Sequence, residues 1–131
     1  MSDRKRISGP SPYEKSVGFS RAVRVGDQIY VSGTAPIGED GQSACPGDPY
    51  GQTLRCLEII RQALEEAGSR IEDVVRTRIF ITDRADFGPV CRAHAEVFGE
   101  IRPASTLVIV ERLLEEEWLV EIEAEAVASD A

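Results

Sequence analysis

The run Thr106-Leu107-Val108-Ile109-Val110 is apolar almost without interruption, and a strand of that kind is ordinarily buried on both faces. The rest of the chain supplies little to bury it with. Only two segments carry helical periodicity. In the first, Leu54, Leu57, Ile60, Leu64 and Ala67 form one stripe. Asp48-Pro49 gives it an N-cap and a first helical position, and Gly68 a stop. The second opens near Asp86 and Pro89 and closes at Gly99, with Phe87, Val90, Cys91, His94, Val97 and Phe98 on its stripe. Strands are predicted at 22–25 and 28–32, joined through Gly26-Asp27 in a hairpin whose first turn residue suits positive φ, and again at 74–82, 106–110 and 118–127. This β-β-α-β-α-β-β order predicts an α+β fold in two layers, with both helices on one face of a mixed sheet. Two helices cover only one face, so the other is expected to be sealed from outside the chain. The simplest cover is further copies of the same chain in a closed ring or dimer.

At 131 residues there is room for one domain. Residues 1–16 read as a flexible N-terminal arm, rich in Ser, Pro, Gly and charge without periodicity, and 17–131 as the domain. With 15 Lys+Arg against 23 Asp+Glu the net charge is −8, which repels polyanions and makes nucleic acid an unexpected partner. No stretch approaches the length of a membrane helix, and the N-terminus has no signal-peptide core, so a cytoplasmic location is expected. Cys45, Cys56 and Cys91 form no C-x-x-C pair and read as reduced thiols, and a single histidine leaves no ligand set for structural zinc.

Several groups could carry chemistry. Cys91 and His94 share a helical face near a helix start, where a thiol is activated, although both lie on the apolar stripe and packing is the stronger reading. Residues 111–131 hold eight acids against Arg112 alone. Glu121, Glu123 and Glu125 share one strand face at spacings of about 7 Å, and mutual repulsion with partial burial raises a carboxyl pKa, as a general acid or base requires. A solvated face is the plainer alternative. Arg76 and Arg78 share a face of the 74–82 strand, and structural pairing with these acids is expected over substrate binding. Ser32-Gly33-Thr34 and the segment from Arg102 through Ser105 and Thr106 place hydroxyls and backbone N–H groups at element ends, where small ligands dock, and Gly33 permits close backbone approach. There is no phosphate-binding loop, dinucleotide fingerprint or hydrolase elbow.

Taken in order, residues 23–34, residues 52–68, Asp73-Val74-Val75-Arg76-Thr77 with Asp86-Phe87, Pro103-Ala104 and Val120-Glu121-Ile122-Glu123-Ala124 resemble the RidA/YjgF family over about residues 18–127. The resemblance implies a chorismate-mutase-like fold, assembled as a homotrimer with ligand clefts between subunits. It also implies hydrolysis of reactive 2-imino or enamino acids to 2-oxo acids and ammonia, without metal or cofactor. An arginine grips the substrate carboxylate and a glutamate on the last strand handles water. The family also carries the descriptions endoribonuclease and translation inhibitor.

By this resemblance Glu121 matches the glutamate, and Ser32 and Gly33 the family's Ser-Gly pair. Three polar groups are absent: Ser105 stands where the arginine follows Pro-Ala, Phe19 where a tyrosine stands, and Cys91 where an asparagine stands. Losing a buried guanidinium paired with a carboxylate costs about 3–5 kcal/mol, some hundreds to thousands-fold in binding. Arg102 lies across Pro103, three positions before Ser105. The chain therefore resembles an arginine-lacking branch, whose cleft around Phe19, Cys91, Ser105 and Thr106 suits a neutral or aromatic ligand. Hydrolysis of such a metabolite with Glu121 positioning water is the expected function. A non-catalytic metabolite-binding module is the alternative, and ribonuclease activity ranks behind both.

Overall fold

Gly26 adopts φ +62°, and around this turn two strands fold into the antiparallel hairpin read from the sequence: β2 (Ala22–Val25) and β3 (Gln28–Thr34). The structure is a computed structural model and describes residues 3–129. Before the hairpin comes β1 (Arg4–Ile7), and after it α1 (Pro49–Glu66), β4 (Val74–Ile81), α2 (Phe87–Phe98), β5 (Ala104–Ile109) and β6 (Val120–Val127). The six strands lie in the order β1-β2-β3-β6-β4-β5, with β4 and β5 parallel and every other pair antiparallel. The parallel pair is joined through α2, as a parallel pairing requires a long crossover. The last strand therefore sits inside the sheet, between β3 and β4.

The helix signals act as written. Asp48 accepts a hydrogen bond from Gly51 N at 3.0 Å with Pro49 at the first helical position. At the other end Gly68 takes φ +82°, Gly68 N donates to Glu65 O and Ser69 N to Leu64 O, the paired bonds of a glycine-terminated helix. Both helices pack on one face of the sheet. Val120, Ile122, Ala124 and Ala126 of β6, with Ile79 and Ile81 of β4, point toward them and are buried with Ile60, Leu64 and Val90. Exclusion of this apolar surface from water is the main stabilising term.

The opposite face carries the charges. Arg78 Nη1 donates to Glu123 at 2.9 Å and to Glu125 at 3.2 Å, and Arg76 lies 3.5 Å from Glu125. Structural pairing, as read from the sequence, is the role of these two arginines.

Two expectations need correction. Residues 4–7 of the predicted arm form β1, in register with β2 and with Ile7 buried. Met1 and Ser2 of that arm, and Asp130 of the acidic tail, lie outside the described residues. An edge strand needs no alternation, and charges such as Arg4, Lys5 and Arg6 suit an edge because they block further pairing. Secondly, Phe87 on the predicted stripe of α2 is 53% exposed. The outer strand β5 leaves Val108 and Ile109 42% and 47% exposed in the single chain. Helix α2 closes at Gly99 as read, and the left-handed residue after it is Arg102, with φ +56°.

Residues 9–21 are tied down by a buried ion pair. Arg21, 2% exposed, donates from Nε to Glu14 at 3.2 Å, and Glu14 accepts from Gly9 N at 2.8 Å. Removing one partner of a buried pair leaves the other charge stranded. Glu14→Ala is therefore expected to lower the unfolding free energy by about 3–5 kcal/mol. Loss of the exposed Arg61–Glu65 pair in Glu65→Ala should cost far less, because water screens both charges; parallel urea titrations compare the two.

Candidate functional site

Where β3 meets β6, the pairing register shifts between Val31 and Thr34. Bulges of this kind re-aim side chains beside functional sites. Here the shift brings the backbone of Gly33 against the carboxylate of Glu121: a Cβ at residue 33 would collide with Glu121 Oε2. Beside them is a cavity of about 360 Å³, walled by the 10–19 segment, the end of β3 and the 112–118 loop. The loop is held by Gln52 of α1, fully buried, which donates to Glu117 O at 3.0 Å and accepts from Leu119 N at 2.9 Å.

The cavity has one carboxylate and largely apolar walls. Phe19, Leu113 and Ile59 line it together with Trp118 and Tyr13, whose rings meet edge to face at 6.2 Å. The polar atoms of both rings are engaged elsewhere: Trp118 Nε1 donates to Ser43 Oγ at 3.1 Å and Tyr13 Oη to Glu115. Their carbon surfaces are therefore what the cavity presents.

Arg21 stands behind the carboxylate, donating to Gly33 O at 2.7 Å and Thr34 Oγ1 at 2.9 Å, with its guanidinium 5.4 Å from the centre of the Phe19 ring. Burial pushes the Glu121 carboxyl above the ordinary carboxylate range; the Arg21 charge opposes the shift and Glu123 adds to it. Desolvation makes the carboxylate a stronger base than an exposed one, so this group is suited to take a proton and return it in the next step.

Among the residues predicted for the site, Phe19, Gly33 and Glu121 come together here. Ser32 is adjacent but tied to the backbone, its Oγ donating to Ser20 O at 2.7 Å. Ser105 and Cys91 belong to a different place. Ser105 is paired in register with Thr77, three residues along β4 from Phe80, which faces Glu121, and on the opposite face of the sheet. Thr77 Oγ1 lies 2.8 Å from Ser105 Oγ and 2.9 Å from His94 Nε2. His94 engages Thr77, and no hydrogen bond joins it to Cys91 among the described residues. Burial raises the Cys91 pKa and keeps it a thiol, so the Cys–His nucleophile pair considered from helix spacing is not formed. Thr106 is in register with Arg78 on the charged face, because neighbouring residues of a strand point to opposite sides. Arg102 is exposed in the turn after α2 and does not line the cavity.

Sequence reasoning missed Arg21, Tyr13, Trp118 and Arg112. Arg112 lines the cavity and makes no ion pair among the described residues. The one available signal was Trp118, the single tryptophan of the chain. Among the described residues no cluster of His, Cys, Asp and Glu is arranged to hold a metal ion.

A carboxyl whose pKa is raised by folding destabilises the native state once ionised, so its cost is absent in acid and grows as pH rises through its titration. Glu121→Gln is therefore expected to be more stable than the parent at neutral pH, with the advantage shrinking as pH falls, in paired denaturant titrations across that range. Gly33→Ala should destabilise by about 1–3 kcal/mol through overpacking against the Glu121 carboxylate, read as a lower denaturation midpoint.

The family model described as Endoribonuclease L-PSP matches residues 11–128. The chain is 39% identical over 106 residues to a RutC family protein of Pyrococcus abyssi, covering 81% of this chain and 83% of that one. A solved member of the YjgF/YER057c/UK114 family from Mycobacterium tuberculosis is 41% identical, with TM-score 0.86 over 96% of this chain and 100% of that chain. The structure of E. coli TdcF with bound serine is 28% identical, with TM-score 0.81 over 95% of this chain and 94% of that one. With the mixed six-stranded sheet and two helices described above, these matches establish the chain as a member of the RidA/YjgF family, the group whose family model is described as Endoribonuclease L-PSP.

Proposed function

We propose that the cavity around Glu121 binds a small metabolite and hydrolyses its carbon–nitrogen double bond. The observation that carries this reading is the half-buried Glu121 carboxyl, held against Gly33 at the wall of an apolar cavity with its pKa raised. In the proposed reaction the Glu121 carboxylate takes a proton from water as the water oxygen bonds to the carbon of the protonated imine, and the C=N electron pair moves to nitrogen. Glu121 then returns its proton to the amino group of the tetrahedral intermediate. The C–N bond breaks and ammonia leaves, while the hydroxyl proton passes to solvent as the carbonyl forms. The steps use one group as base and then as acid, and require no metal or cofactor.

The substrate class follows from the walls. Trp118, Tyr13 and Phe19 favour an aromatic or aliphatic body, and Arg112, with no carboxylate partner among the described residues, is available to a substrate anion. It would partly replace the guanidinium that the family pattern places at the position of Ser105. A relative crystallised with bound serine supports a ligand of metabolite size. Nucleic acid remains disfavoured because of the net charge of −8 and the acidic strand beside the site.

A homotrimer is part of the proposal. In one chain the outer strand β5 is exposed, and Ser105 and Cys91 lie far from Glu121; neighbouring copies would cover the strand and bring the second group toward the first across a cleft.

Imines generated from aromatic and aliphatic amino acids by an amino-acid oxidase provide the test. The parent should accelerate their loss, and Glu121→Gln should lower the rate about a hundredfold or more. Ser105→Arg should shift preference toward smaller 2-imino acids. No acceleration by either the parent or the Ser105→Arg protein would refute hydrolysis, and in that case a ligand-induced rise in melting temperature lost in Glu121→Ala would support binding without turnover. A monomer in sedimentation at micromolar concentration would remove the cleft.

A further inference from the structure

The side chains around the Glu121 cavity are ordered by depth. Arg21, Ile59 and Trp118 are buried and form its floor with Glu121, while Val17, Leu114 and Arg112 are exposed and stand at its mouth. The two ends differ in charge. At the floor the Arg21 guanidinium is already balanced by Glu14 at 3.2 Å, and Glu121 adds a negative charge when ionised. Such a floor favours the cationic carbon of a protonated imine and repels a carboxylate placed beside it. Ser105, standing where the family pattern has an arginine, brings no charge to offset that repulsion.

At the mouth the sign is reversed. Arg112 shares its loop with Glu111, Glu115, Glu116 and Glu117, yet it makes no ion pair among the described residues. Two of those acids are held elsewhere: Glu115 accepts from Tyr13 Oη and Glu117 from Ser43 Oγ at 2.9 Å. The loop itself is pinned on both sides of Arg112. Val110 N donates to Ile81 O at 2.8 Å, and Gln52 Nε2 donates to Glu117 O at 3.0 Å. A carboxylate at the mouth keeps part of its hydration, so it can meet a guanidinium through two parallel hydrogen bonds without full desolvation.

Between the ends the walls are apolar, with Tyr13, Trp118, Phe19 and Leu113 presenting carbon surface. The volume of about 360 Å³ admits a small ligand, for which sites of roughly 300–1,000 Å³ are usual. The charges that act on Glu121 are Arg21 and Glu123, and Arg112 is not among them. A ligand that reaches both Glu121 and Arg112 therefore spans the cavity.

We infer that Arg112 is a specificity-determining residue, and that the preferred substrates are imines with a second acidic group at the end of an aromatic or extended aliphatic body, remote from the C=N bond. This inference rests on the proposed hydrolysis for the bond that reacts, and adds which imines are preferred. Arg112 meets the substrate far from the reacting carbon, so its contact is equal in the ground and transition states and acts on KM.

Two amino acids of matched shape provide the test. 4-Carboxyphenylalanine and 4-carbamoylphenylalanine, oxidised in situ by an amino-acid oxidase, give imines that differ only in the remote charge. The parent should show a KM about tenfold lower for the acid than for the amide. Arg112→Gln should erase that difference, with the loss falling on KM rather than on kcat, and Arg112→Lys, which keeps the charge without the fork, should retain part of it. Binding is read separately, without turnover, by titration calorimetry of the full chain with 4-methylbenzoate and 4-methylbenzamide. The acid should bind more tightly than the amide to the parent and to Glu121→Gln, and no more tightly to Arg112→Gln; added salt should shrink the preference. Residue 112 is exposed and outside the core, and circular dichroism checks that its variants are folded. Equal binding of acid and amide by the parent, or a preference that survives in Arg112→Gln, would overturn the inference. The two readings fail separately. Imine loss indifferent to the remote charge refutes this inference and leaves Glu121 its role, whereas an acid preference in calorimetry without imine loss refutes hydrolysis and leaves Arg112 as the selector of a bound acid.

Discussion

Insertion of the C-terminal strand β6 between β3 and β4 is the contact on which the rest of the molecule depends. It joins the first hairpin to the βαβ unit that follows, and its two faces do opposite work. One face, Val120, Ile122, Ala124 and Ala126, closes the core beneath the helices. The other presents Glu121, Glu123 and Glu125 to Phe80, Arg78 and Arg76 of β4 in direct register. A one-residue slip would exchange the faces, burying three carboxylates and exposing the core. The cost of that exchange is what holds Glu121 in place.

The three acids of that strand have separate fates, although their spacing is uniform. Glu123 and Glu125 meet guanidinium groups on the neighbouring strand and remain partly exposed. Glu121 lies opposite a phenylalanine and beneath the 10–19 segment, so desolvation outweighs attraction to Arg21. Arg21 is committed to Glu14, Gly33 O and Thr34. It contributes a field at Glu121 and at the same time anchors the loop that excludes water there. A shift in one carboxyl thus follows from the placement of three neighbouring elements.

Local chemistry made much of the fold readable. Asp48-Pro49 and Gly68 bounded α1 because caps act over a few residues, and Gly26-Asp27 announced its hairpin for the same reason. The charged strand β1 was unreadable because it is four residues long and buries only Ile7, too little to leave a periodic trace. The left-handed residue at Arg102 had no local signal, since the path from α2 into β5 is set by where the sheet lies. At the site, Glu121 and Gly33 were legible as an alternating acid and a permissive residue. Arg21, Tyr13, Trp118 and Arg112 come from distant loops, and nothing in their local sequence marks a common destination.

What the sequence by itself determined was the set of elements, the separation of apolar and charged faces, and the position of the acid on the last strand. Those properties rest on periodicity and capping, which span a few residues. Tertiary structure alone decided which acid loses its water, which arginines are occupied, and that Ser105 meets Thr77 while Thr106 lies in register with Arg78 on the other face. Each of those outcomes depends on strand order and register, set by contacts between residues far apart in the chain, and desolvation has no meaning until the elements that displace water have come together.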